Sequence, residues 1–258
     1  MRITALLENT SACGLPVEHG LSLFVEMENG CRFMFDMGQT GLFAQNAETL
    51  GIDLNTADFA VLSHGHYDHG GGLSIFLKLN DHATVYMSRH AFEPHFNGTE
   101  KYIGLDPSPQ ASGRIVYVDE EKEIAPGLKL YNRPDAVKVM DFGSCGLNMV
   151  QDGKLQPEDF RHEQYLMAEE NGKRILFSGC SHRGILNIMH WFQPDVLIGG
   201  FHLSKLPLDE TLASFADRLN TYPTTYYTCH CTGTEQYRFM QSRMKNLHYI
   251  SAGDSITL

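Results

Sequence analysis

The chain has 258 residues, of which 42% are hydrophobic and 20% are charged. This balance excludes a disordered or fibrous protein, and no apolar run reaches the roughly 18 residues that a membrane-spanning helix needs. The net charge is −11 and no cluster of five or more Lys and Arg residues occurs, which argues against a nucleic-acid-binding surface.

The length also bears on domain organisation. At about 150 residues per domain the chain could form one or two domains, and α/β folds of this size commonly form one. We therefore expect a single domain over residues 1–258. The apolar stretch within Met1–Glu8 is too short for a secretory signal, so we expect a cytoplasmic protein whose cysteines are buried thiols or metal ligands.

The first half of the chain begins with predicted strands. The apolar residues of Ile3–Glu8 and Leu21–Glu28 alternate, as in strands with one buried face, and Asn29-Gly30 is typical of a hairpin turn. Phe59–Ser63 is a short apolar run, which is typical of a buried strand. The predicted strands are Ile3–Glu8, Leu21–Glu28, Cys31–Phe35, Phe59–Ser63 and Ala83–Ser88. The predicted helices are Leu42–Leu50 and Leu73–Leu79.

Residues 90–160 are less regular, because Pro and Gly recur along them. Short strands are predicted at Ile115–Asp119, Leu128–Tyr131 and Ala136–Met140. Long irregular loops in compact domains usually serve a function, so we expect this loop-rich segment to lie over a site. A variable surface insertion is the alternative.

The second half of the chain repeats the order of predicted elements in the first half, with strands first and helices later. The predicted strands are Gln164–Glu169, Lys173–Phe177, Val196–Gly199, Thr224–Tyr227 and His248–Ile250. The predicted helices are Ile185–Phe192, Glu210–Leu219 and Glu235–Met244. Strands followed by helices, in both halves, predict an α/β fold in which two sheets pack face to face with helices outside.

Histidine is the residue type that composition does not explain. The chain has 13 histidines, and three of them fall within six positions. Polar residues also follow several predicted strands, where rigid strand ends support functional loops. These residues are Asp36, His64–His69, Cys180–His182, His202 and His230. We expect them to converge on one rim of the two sheets.

The segment His64–His69 places four potential metal ligands in six residues, directly after a predicted buried strand. Zinc and iron favour imidazole nitrogen, with carboxylate oxygen as a harder partner. In an extended or turn segment, the side chains of His64 and His66 lie on the same side of the backbone and can bind one metal ion. Asp68 and His69 follow the turn and can face a second ion. A polar turn with scattered histidines is the alternative, and this density of ligands argues against it.

The segment Val61–Gly72 resembles the metal-binding signature of the metallo-β-lactamase superfamily, and the resemblance covers nearly the whole chain. Asp36 resembles the acidic residue that closes an early strand and orients the metal loop. Leu176–Cys180 resembles the strand end that carries a bridging Asp or a Cys ligand, and Thr228–His230 resembles the segment with the last histidine ligand. The resemblance implies a four-layer αββα metallo-β-lactamase-like sandwich of two mixed sheets with a dinuclear metal site.

Five further motifs resemble one subgroup of that superfamily. The subgroup is named after 7,8-dihydropterin-6-ylmethyl-4-(β-D-ribofuranosyl)aminobenzene 5′-phosphate synthase. The motifs are Glu18–Ser22, Phe35–Gln39, Ser178–His182, Ile198–Leu203 and His230–Gly233. Because the subgroup is broad, membership does not fix the substrate.

The resemblance implies a set of metal ligands. It carries over directly to His64, His66, Asp68, His69 and His230. The third ligand of the first ion is open, since the superfamily usually places a histidine near His162. The subgroup has acidic residues there, matching Glu163 or Asp159, together with a Gly-Cys-x-His motif. We therefore prefer His182, with His162 as the alternative.

Three cysteines lie near these ligands, and one of them has two interpretations. Cys180 is either a thiolate ligand of the metal or a small buried thiol beneath it. Cys229 and Cys231 flank His230 at alternating strand positions, which predicts that both point away from the site into the core.

Three more residues are candidates for the substrate pocket. His202 ends a predicted strand, and we interpret it as a general acid or a substrate contact, with a hydrogen bond to a metal ligand as the alternative. Asn9 and His19 lie in the first loop region and are predicted to contact substrate. Surface or core positions are expected for His82, His90, His95, His190 and His248.

Together these features predict a metal-dependent hydrolase. Its cofactors would be two divalent metal ions, zinc first, with iron or manganese as alternatives. The ions would activate a water for attack on an ester, lactone or phosphoester of a small anionic substrate. Asp68 and His202 are the predicted catalytic residues, and Asp36 is predicted as structural support.

Two other functions stay open. One is a dihydropterin-diphosphate-dependent synthase of the methanopterin type, a transferase. The other is an iron-bound redox protein, which would usually need a flavin domain that 258 residues do not accommodate. We expect a small-molecule substrate and no nucleic-acid or membrane partner, and the oligomeric state is open, with a homodimer as one alternative.

Overall fold

Short, mostly buried strands build the fold. The structure, a computed structural model, describes residues 1–132 and 136–258. In chain order its strands are β1 (Arg2–Leu7), β2 (Ser22–Glu26), β3 (Arg32–Phe35), β4 (Phe59–Val61), β5 (Thr84–Ser88), β6 (His95–Asn97), β7 (Lys101–Tyr102), β8 (Ile115–Val118), β9 (Glu121–Ala125), β10 (Leu128–Tyr131), β11 (Leu147–Gln151), β12 (Lys154–Pro157), β13 (Tyr165–Glu170), β14 (Lys173–Phe177), β15 (Val196–Ile198), β16 (Thr225–Thr228), β17 (Leu247–Tyr249) and β18 (Ser255–Thr257).

The helices are short as well. They are α1 (Leu42–Thr49), α2 (Tyr67–Gly70), α3 (Leu73–Leu79), α4 (Ile185–Phe192), α5 (Glu210–Leu219) and α6 (Thr234–Gln241). Turns of 3₁₀ helix lie at Leu54–Thr56, Ser108–Ser112 and His230–Thr232. In the part of the chain that the structure describes, no helix combines the length and apolarity needed to cross a bilayer.

Two seven-stranded mixed sheets follow the same plan. The first has the order β18-β1-β2-β3-β4-β5-β8, and the second has the order β17-β16-β15-β14-β13-β10-β9. In the first sheet β3, β4, β5 and β8 are parallel, and in the second β14 to β17 are parallel. The loops that leave the carboxyl ends of these parallel strands carry the polar residues singled out above.

Alternation along the strands decides which residues fill which layer. In β3, Phe33 and Phe35 point into the core between the sheets, whereas Met34 packs on the side of α1 and α3. In β14, Phe177 lies in the same inter-sheet core and Leu176 faces α4 to α6. The period of two thus produces helix, sheet, sheet and helix layers, and the predicted αββα sandwich of two mixed sheets is confirmed.

One predicted strand is wrong. Residues 136–140 form no strand, although they are apolar enough to suggest one. The backbone N–H groups of Val139 and Met140 donate to Oδ1 of Asn187 at 2.8 and 3.0 Å. Met140 also packs against the helices outside the second sheet. This segment is therefore held by one side-chain amide rather than by a neighbouring strand.

A third, four-stranded antiparallel sheet lies between the two halves of the sequence. Its order is β12-β11-β6-β7, and none of these strands was predicted. Within the described ranges, these strands pair with one another and with no strand of the large sheets. Below, we call it the small sheet.

The inter-sheet aromatic core yields a stability prediction. Phe177 is fully buried, and its ring centroid lies 5.8 Å from that of Phe33 and 5.4 Å from that of Phe35. We expect Phe177→Ala to lower the free energy of unfolding by about 3–5 kcal/mol, because it leaves a cavity between the sheets. Chemical denaturation measures this, with Leu208→Ala, at a side chain 48% exposed, as the control. An equal loss in both variants would contradict the assignment of the core.

Candidate metal centre

The loops after the parallel strands meet around a cavity of about 360 Å³. Its floor contains histidine, aspartate and cysteine side chains from both halves of the chain, and its wall includes residues of the small sheet. The volume is in the range of small-molecule sites. Because its donors come from strand ends on both sheets, the sandwich itself sets their spacing.

The first group of donors consists of His64, His66 and His182, all buried. The Nε2 atoms of His64 and His182 lie 3.3 Å apart. Two nitrogen ligands at about 2.0–2.1 Å from a tetrahedral zinc lie about 3.3 Å from each other, so this spacing fits two ligands of one ion. The ring of His182 stacks on that of Phe160 at 4.7 Å, which fixes its plane.

The second group of donors consists of Asp68, His69, Cys180 and His230. Nε2 of His230 lies 3.3 Å from Oδ2 of Asp68 and 3.3 Å from Nε2 of His69. Sγ of Cys180 is 3.1 Å from Nε2 of His69. Carboxylate, imidazole and thiol donors at these distances form a mixed set that suits zinc. The two groups are adjacent, since the rings of His64 and His69 are 4.1 Å apart.

Asp36 holds the loop that supplies most of these ligands. Its Oδ1 accepts the backbone N–H of Ser63 at 2.7 Å, and its Oδ2 accepts the Ser63 hydroxyl at 2.7 Å. Oδ2 also lies 2.7 Å from Nδ1 of His69. With Nδ1 bonded to the carboxylate, Nε2 of His69 is the nitrogen left for the second group.

Glu8 and Asn9 hold His230 in the same way. The backbone N–H of His230 donates to Oε1 of Glu8 at 2.5 Å, and its ring Nδ1 lies 2.8 Å from Oδ1 of Asn9. Asn9 Nδ2 is also 3.3 Å from Nδ1 of His19. Among the described residues that line the cavity, His19 is present and Asn9 is not. His19 Nε2 reaches Oδ2 of Asp68 at 3.2 Å.

Burial sets the protonation of the first group. Desolvation, followed by repulsion from neighbouring histidines, holds the pKa values of His64, His66 and His182 well below the usual range. These imidazoles are therefore neutral, the form that binds a metal.

The second group carries opposite charges. Burial opposes the charge on Asp68, but His69, His19 and His230 hold its pKa well below the usual range. Burial also opposes the charge on His69, yet the carboxylates of Asp36 and Asp68 raise its pKa to about 9. The carboxylate of Asp68 is thus ionised and ready to bind a cation.

Cys231 lies in the site, contrary to the expectation from the sequence. It lines the cavity, and its thiol donates to the backbone oxygen of Cys180 at 3.4 Å. The strand ends at Thr228, and His230–Thr232 forms a 3₁₀ turn, so the assumed alternation does not continue. Cys229 packs in the inter-sheet core as expected.

His202 stands beside Cys231 at the wall of the cavity. Burial opposes the charge on His202, but the nearby side chains of Cys145 and Cys231 raise its pKa to about 10. Its ring centroid is 4.3 Å from that of His182. A protonated imidazole next to the metal-ligand groups can donate a proton inside the cavity.

The sequence analysis left the third ligand of the first ion open, and of its candidates His182 lines the cavity whereas His162, Glu163 and Asp159 do not. His162 accepts the backbone N–H of Gly65 on its Nδ1 at 2.8 Å and faces His95 and Glu158 rather than the cavity. Glu163 accepts the backbone N–H of His182 at 2.6 Å. No motif in the sequence singles out His95 or Glu158, because only the small sheet brings them near the metal loop.

Two lysines at the cavity were also missed. Lys101 of β7 and Lys205 after β15 both line it and are exposed to solvent. Lys101 Nζ lies 5.8 Å from the ring centroid of Tyr67. Isolated lysines carry no sequence signal, so only the structure shows that both reach one cavity.

Two proteins of one archaeon are similar to this chain over nearly its whole length. An uncharacterized protein of Methanocaldococcus jannaschii is 28% identical over 98% of this chain and 99% of its own length. The 7,8-dihydropterin-6-methyl-4-(beta-D-ribofuranosyl)-aminobenzene-5′-phosphate synthase of the same organism is 26% identical over 99% of this chain and 96% of its own length.

Solved structures share the fold over the full chain. A crystal structure described as a metal-dependent hydrolase of the beta-lactamase superfamily superposes with a TM-score of 0.86 at 29% identity, covering 100% of this chain and 99% of the other. A metallo-beta-lactamase fold protein from Bacillus subtilis superposes with a TM-score of 0.60 at 10% identity, covering 99% and 98%.

The family model of the metallo-beta-lactamase superfamily matches residues 15–219, the range that holds both sheets' central strands and most of the donors. The chain therefore belongs to the metallo-beta-lactamase superfamily.

Proposed function

We propose that this protein is a metal-dependent hydrolase that acts on an ester, lactone or phosphoester of a small anionic molecule. The observation that carries the proposal is the pair of adjacent donor groups on the floor of the cavity. The donors are buried neutral imidazoles, an ionised aspartate and a thiol, at the distances that separate ligands of one ion. This set suits divalent cations better than a network of hydrogen bonds.

The two donor groups support a site for two ions. His64, His66 and His182 would hold the first, and Asp68, His69, Cys180 and His230 would hold the second. Nitrogen, oxygen and sulfur donors together favour zinc, with iron and manganese as alternatives. When bound, such ions supply positive charge next to the scissile bond and make a water acidic enough to react near neutral pH.

The chain's own residues would complete the reaction. The oxygen of water bonds to the carbonyl or phosphoryl centre as the bond to the leaving oxygen breaks. The protonated ring of His202 gives its proton to that leaving oxygen and recovers one from the water. Asp68, fixed by His19 and His230, would orient the attacking water.

The lysines indicate the substrate class. Lys101 and Lys205 place two positive charges at one cavity of a chain whose net charge is −11. Such local charge attracts a carboxylate or phosphate on the substrate. The cavity volume of about 360 Å³ fits a small molecule better than a polymer.

A second candidate function is a pterin-dependent synthase. The archaeal synthase that is 26% identical over 99% of this chain supports it. In that reaction a phosphate-bearing aminobenzene would replace water as the attacking partner and diphosphate would leave, so the same cations and lysines would bind the anionic groups. The two functions would use the same donor groups on the floor of the cavity. They differ in the nucleophile, which is water in the hydrolase and the aminobenzene in the synthase.

A substrate panel tests the proposal. We expect the protein loaded with zinc, manganese or iron(II) to hydrolyse p-nitrophenyl esters, bis(p-nitrophenyl) phosphate or an aliphatic lactone, and a chelator to abolish turnover. His202→Asn should lower kcat by about 10²–10⁴-fold while the metal content is unchanged. No turnover across the panel, with product from a dihydropterin diphosphate and an aminobenzene ribofuranosyl phosphate, would favour the synthase.

The support given by Asp36 leads to a prediction for metal affinity. Asp36→Asn keeps the volume of the side chain but removes the charge that orients His69. We expect metal affinity to fall by about 10–100-fold, as for other groups that position ligands. Chelator competition measures it. The control is Asp58→Asn, whose carboxylate accepts the N–H of Arg32 at the far end of β3, and equal affinities in the two variants would contradict the role.

The lysines lead to a prediction for substrate selectivity. Lys101→Ala and Lys205→Ala should each raise KM for anionic substrates by about two- to fivefold, the scale of an exposed charge interaction. KM for a neutral ester should not change, and added salt should reduce the difference. Lys154→Ala, an exposed lysine of the small sheet away from the cavity, is the control. Equal effects on neutral and anionic substrates would overturn the assignment.

A further inference from the structure

One histidine of the first donor group lacks the hydrogen bond that orients other histidines of the site. Nδ1 of His64, His69 and His230 lies 2.8, 2.7 and 2.8 Å from a side-chain oxygen. Nδ1 of His182 is buried and has no hydrogen-bond partner among the residues that the structure describes. Metal-bound histidines almost always fix their ring through the second nitrogen, so other contacts must orient the ring of His182.

A turn before β13 supplies those contacts. We call residues 160–163 the clamp turn. Its first residue, Phe160, has a φ of 57°, and the carbonyl of Phe160 accepts the N–H of Glu163 at 2.9 Å. The ring of Phe160 lies nearly parallel to that of His182, with an angle of 12° between the planes and 4.7 Å between the centroids. This stacking restrains the plane of the His182 ring, whose own hydrogen bond is missing.

Glu163 of the clamp turn holds the backbone of the same histidine. Its Oε1 accepts the N–H of His182 at 2.6 Å, and its Oε2 accepts the N–H of Arg183 at 3.0 Å and the hydroxyl of Tyr165 at 2.7 Å. The preceding residue, Ser181, has a φ of 58°, a conformation that non-glycine residues rarely adopt. Two consecutive N–H groups bonded to one buried carboxylate keep the backbone in this conformation.

His162 of the clamp turn reaches the metal loop. Its Nδ1 accepts the N–H of Gly65, which lies between His64 and His66. Because Nδ1 is an acceptor, the ring proton is on Nε2, which lies 3.6 Å from Oε1 of Glu158. His162 is therefore a hydrogen-bonding partner of the metal loop and not a metal ligand. One turn thus contacts the two segments that carry the three donors of the first group.

The clamp turn is itself held by neighbours from both halves of the chain. Nε and Nη2 of Arg161 bond to the carboxylate of Glu93 at 2.9 and 3.0 Å. The carbonyl of Arg161 accepts a hydrogen bond from Nδ2 of Asn132 at 3.0 Å. The next residue, Gln164, donates its N–H to the carbonyl of Ser63 at 2.8 Å. These contacts restrict the turn, as is needed for an element that positions ligands.

We propose that the clamp turn positions the ligands of the first ion, with Phe160 in the place of the hydrogen bond that the ring of His182 lacks. Phe160 and Glu163 set the ring plane and the backbone of His182, and His162 sets the peptide between the other two ligands. All three are positioning residues, and their roles rest on the proposed function, in which the first donor group binds an ion.

Cobalt(II) binding tests the role of Phe160, because the absorption spectrum of cobalt reports the geometry of its ligands. Phe160→Leu keeps an apolar side chain but removes the ring face. We expect it to weaken binding of the first ion by about 10–100-fold and to change the ligand-field bands. The charge-transfer band of a Cys180 thiolate on the second ion should be unchanged. Phe215→Leu is the control, because Phe215 is 4% exposed against 3% for Phe160 and packs with the outer helices.

Glu163→Gln is a second variant with its own control. The carboxamide offers one oxygen where three donors now share two, so we expect the first ion to bind more weakly in this variant too. The control is Glu170→Gln at the other end of β13, where the carboxylate accepts the N–H of Glu28 at 2.9 Å. Loss of stability without loss of cobalt affinity would show a purely structural role and would overturn the proposal for Glu163.

Phe160→Tyr keeps the ring and should bind cobalt as the wild-type protein does. Unchanged affinity and spectrum in Phe160→Leu, or the same change in Phe215→Leu, would overturn the role of Phe160. Normal cobalt binding without hydrolysis of any substrate would contradict the proposed hydrolase alone. A wild-type chain that binds no cobalt would contradict both proposals.

Discussion

The carboxylate of Asp36 is the interaction on which the site depends. It is fully buried, and an ionised carboxylate without partners there would be strongly unfavourable. Its partners are the backbone and hydroxyl of Ser63, at the end of one strand, and the ring of His69, within α2. One carboxylate therefore holds both ends of the segment that contains His64, His66 and Asp68. Moving any of these groups would leave a buried charge partly unpaired, which keeps the donors rigid before any metal arrives.

Backbone strain accompanies this rigidity. Asp36, Ser181, His202 and His230 follow four different strands, and each has a positive φ, between 49° and 61°. Non-glycine residues rarely adopt this conformation, and each instance costs of order 1–3 kcal/mol. Left-handed turns redirect the chain sharply where a strand ends, which turns side chains toward the rim instead of continuing the alternation of the strand. The inter-sheet core, with its close aromatic contacts, stabilises the strands that carry this strain.

The sequence predicted the features that depend on local pattern. The alternation of apolar residues along Ile3–Glu8 and Leu21–Glu28 indicated strands, and the spacing of His64–His69 indicated a metal loop, because both signals lie within a few residues. The features it missed depend on distant contacts. Residues 136–140 bond to Asn187 instead of a strand. Cys231 faces the cavity because a 3₁₀ turn interrupts the strand pattern, and His95 approaches the metal loop only through the pairing of the small sheet.

The separateness of the small sheet has a consequence for how this scaffold can diversify. Among the described residues, its strands share no ladder with the two large sheets. Insertions, deletions or replacements within residues 95–102 or 147–157 therefore leave the strand pairing of the sandwich unchanged. The floor of the cavity, by contrast, is fixed by strand ends and a buried carboxylate. Substitutions in the small sheet can therefore change the wall of the cavity while the donor groups on its floor stay unchanged. One framework of this kind can present different cavity walls above the same floor.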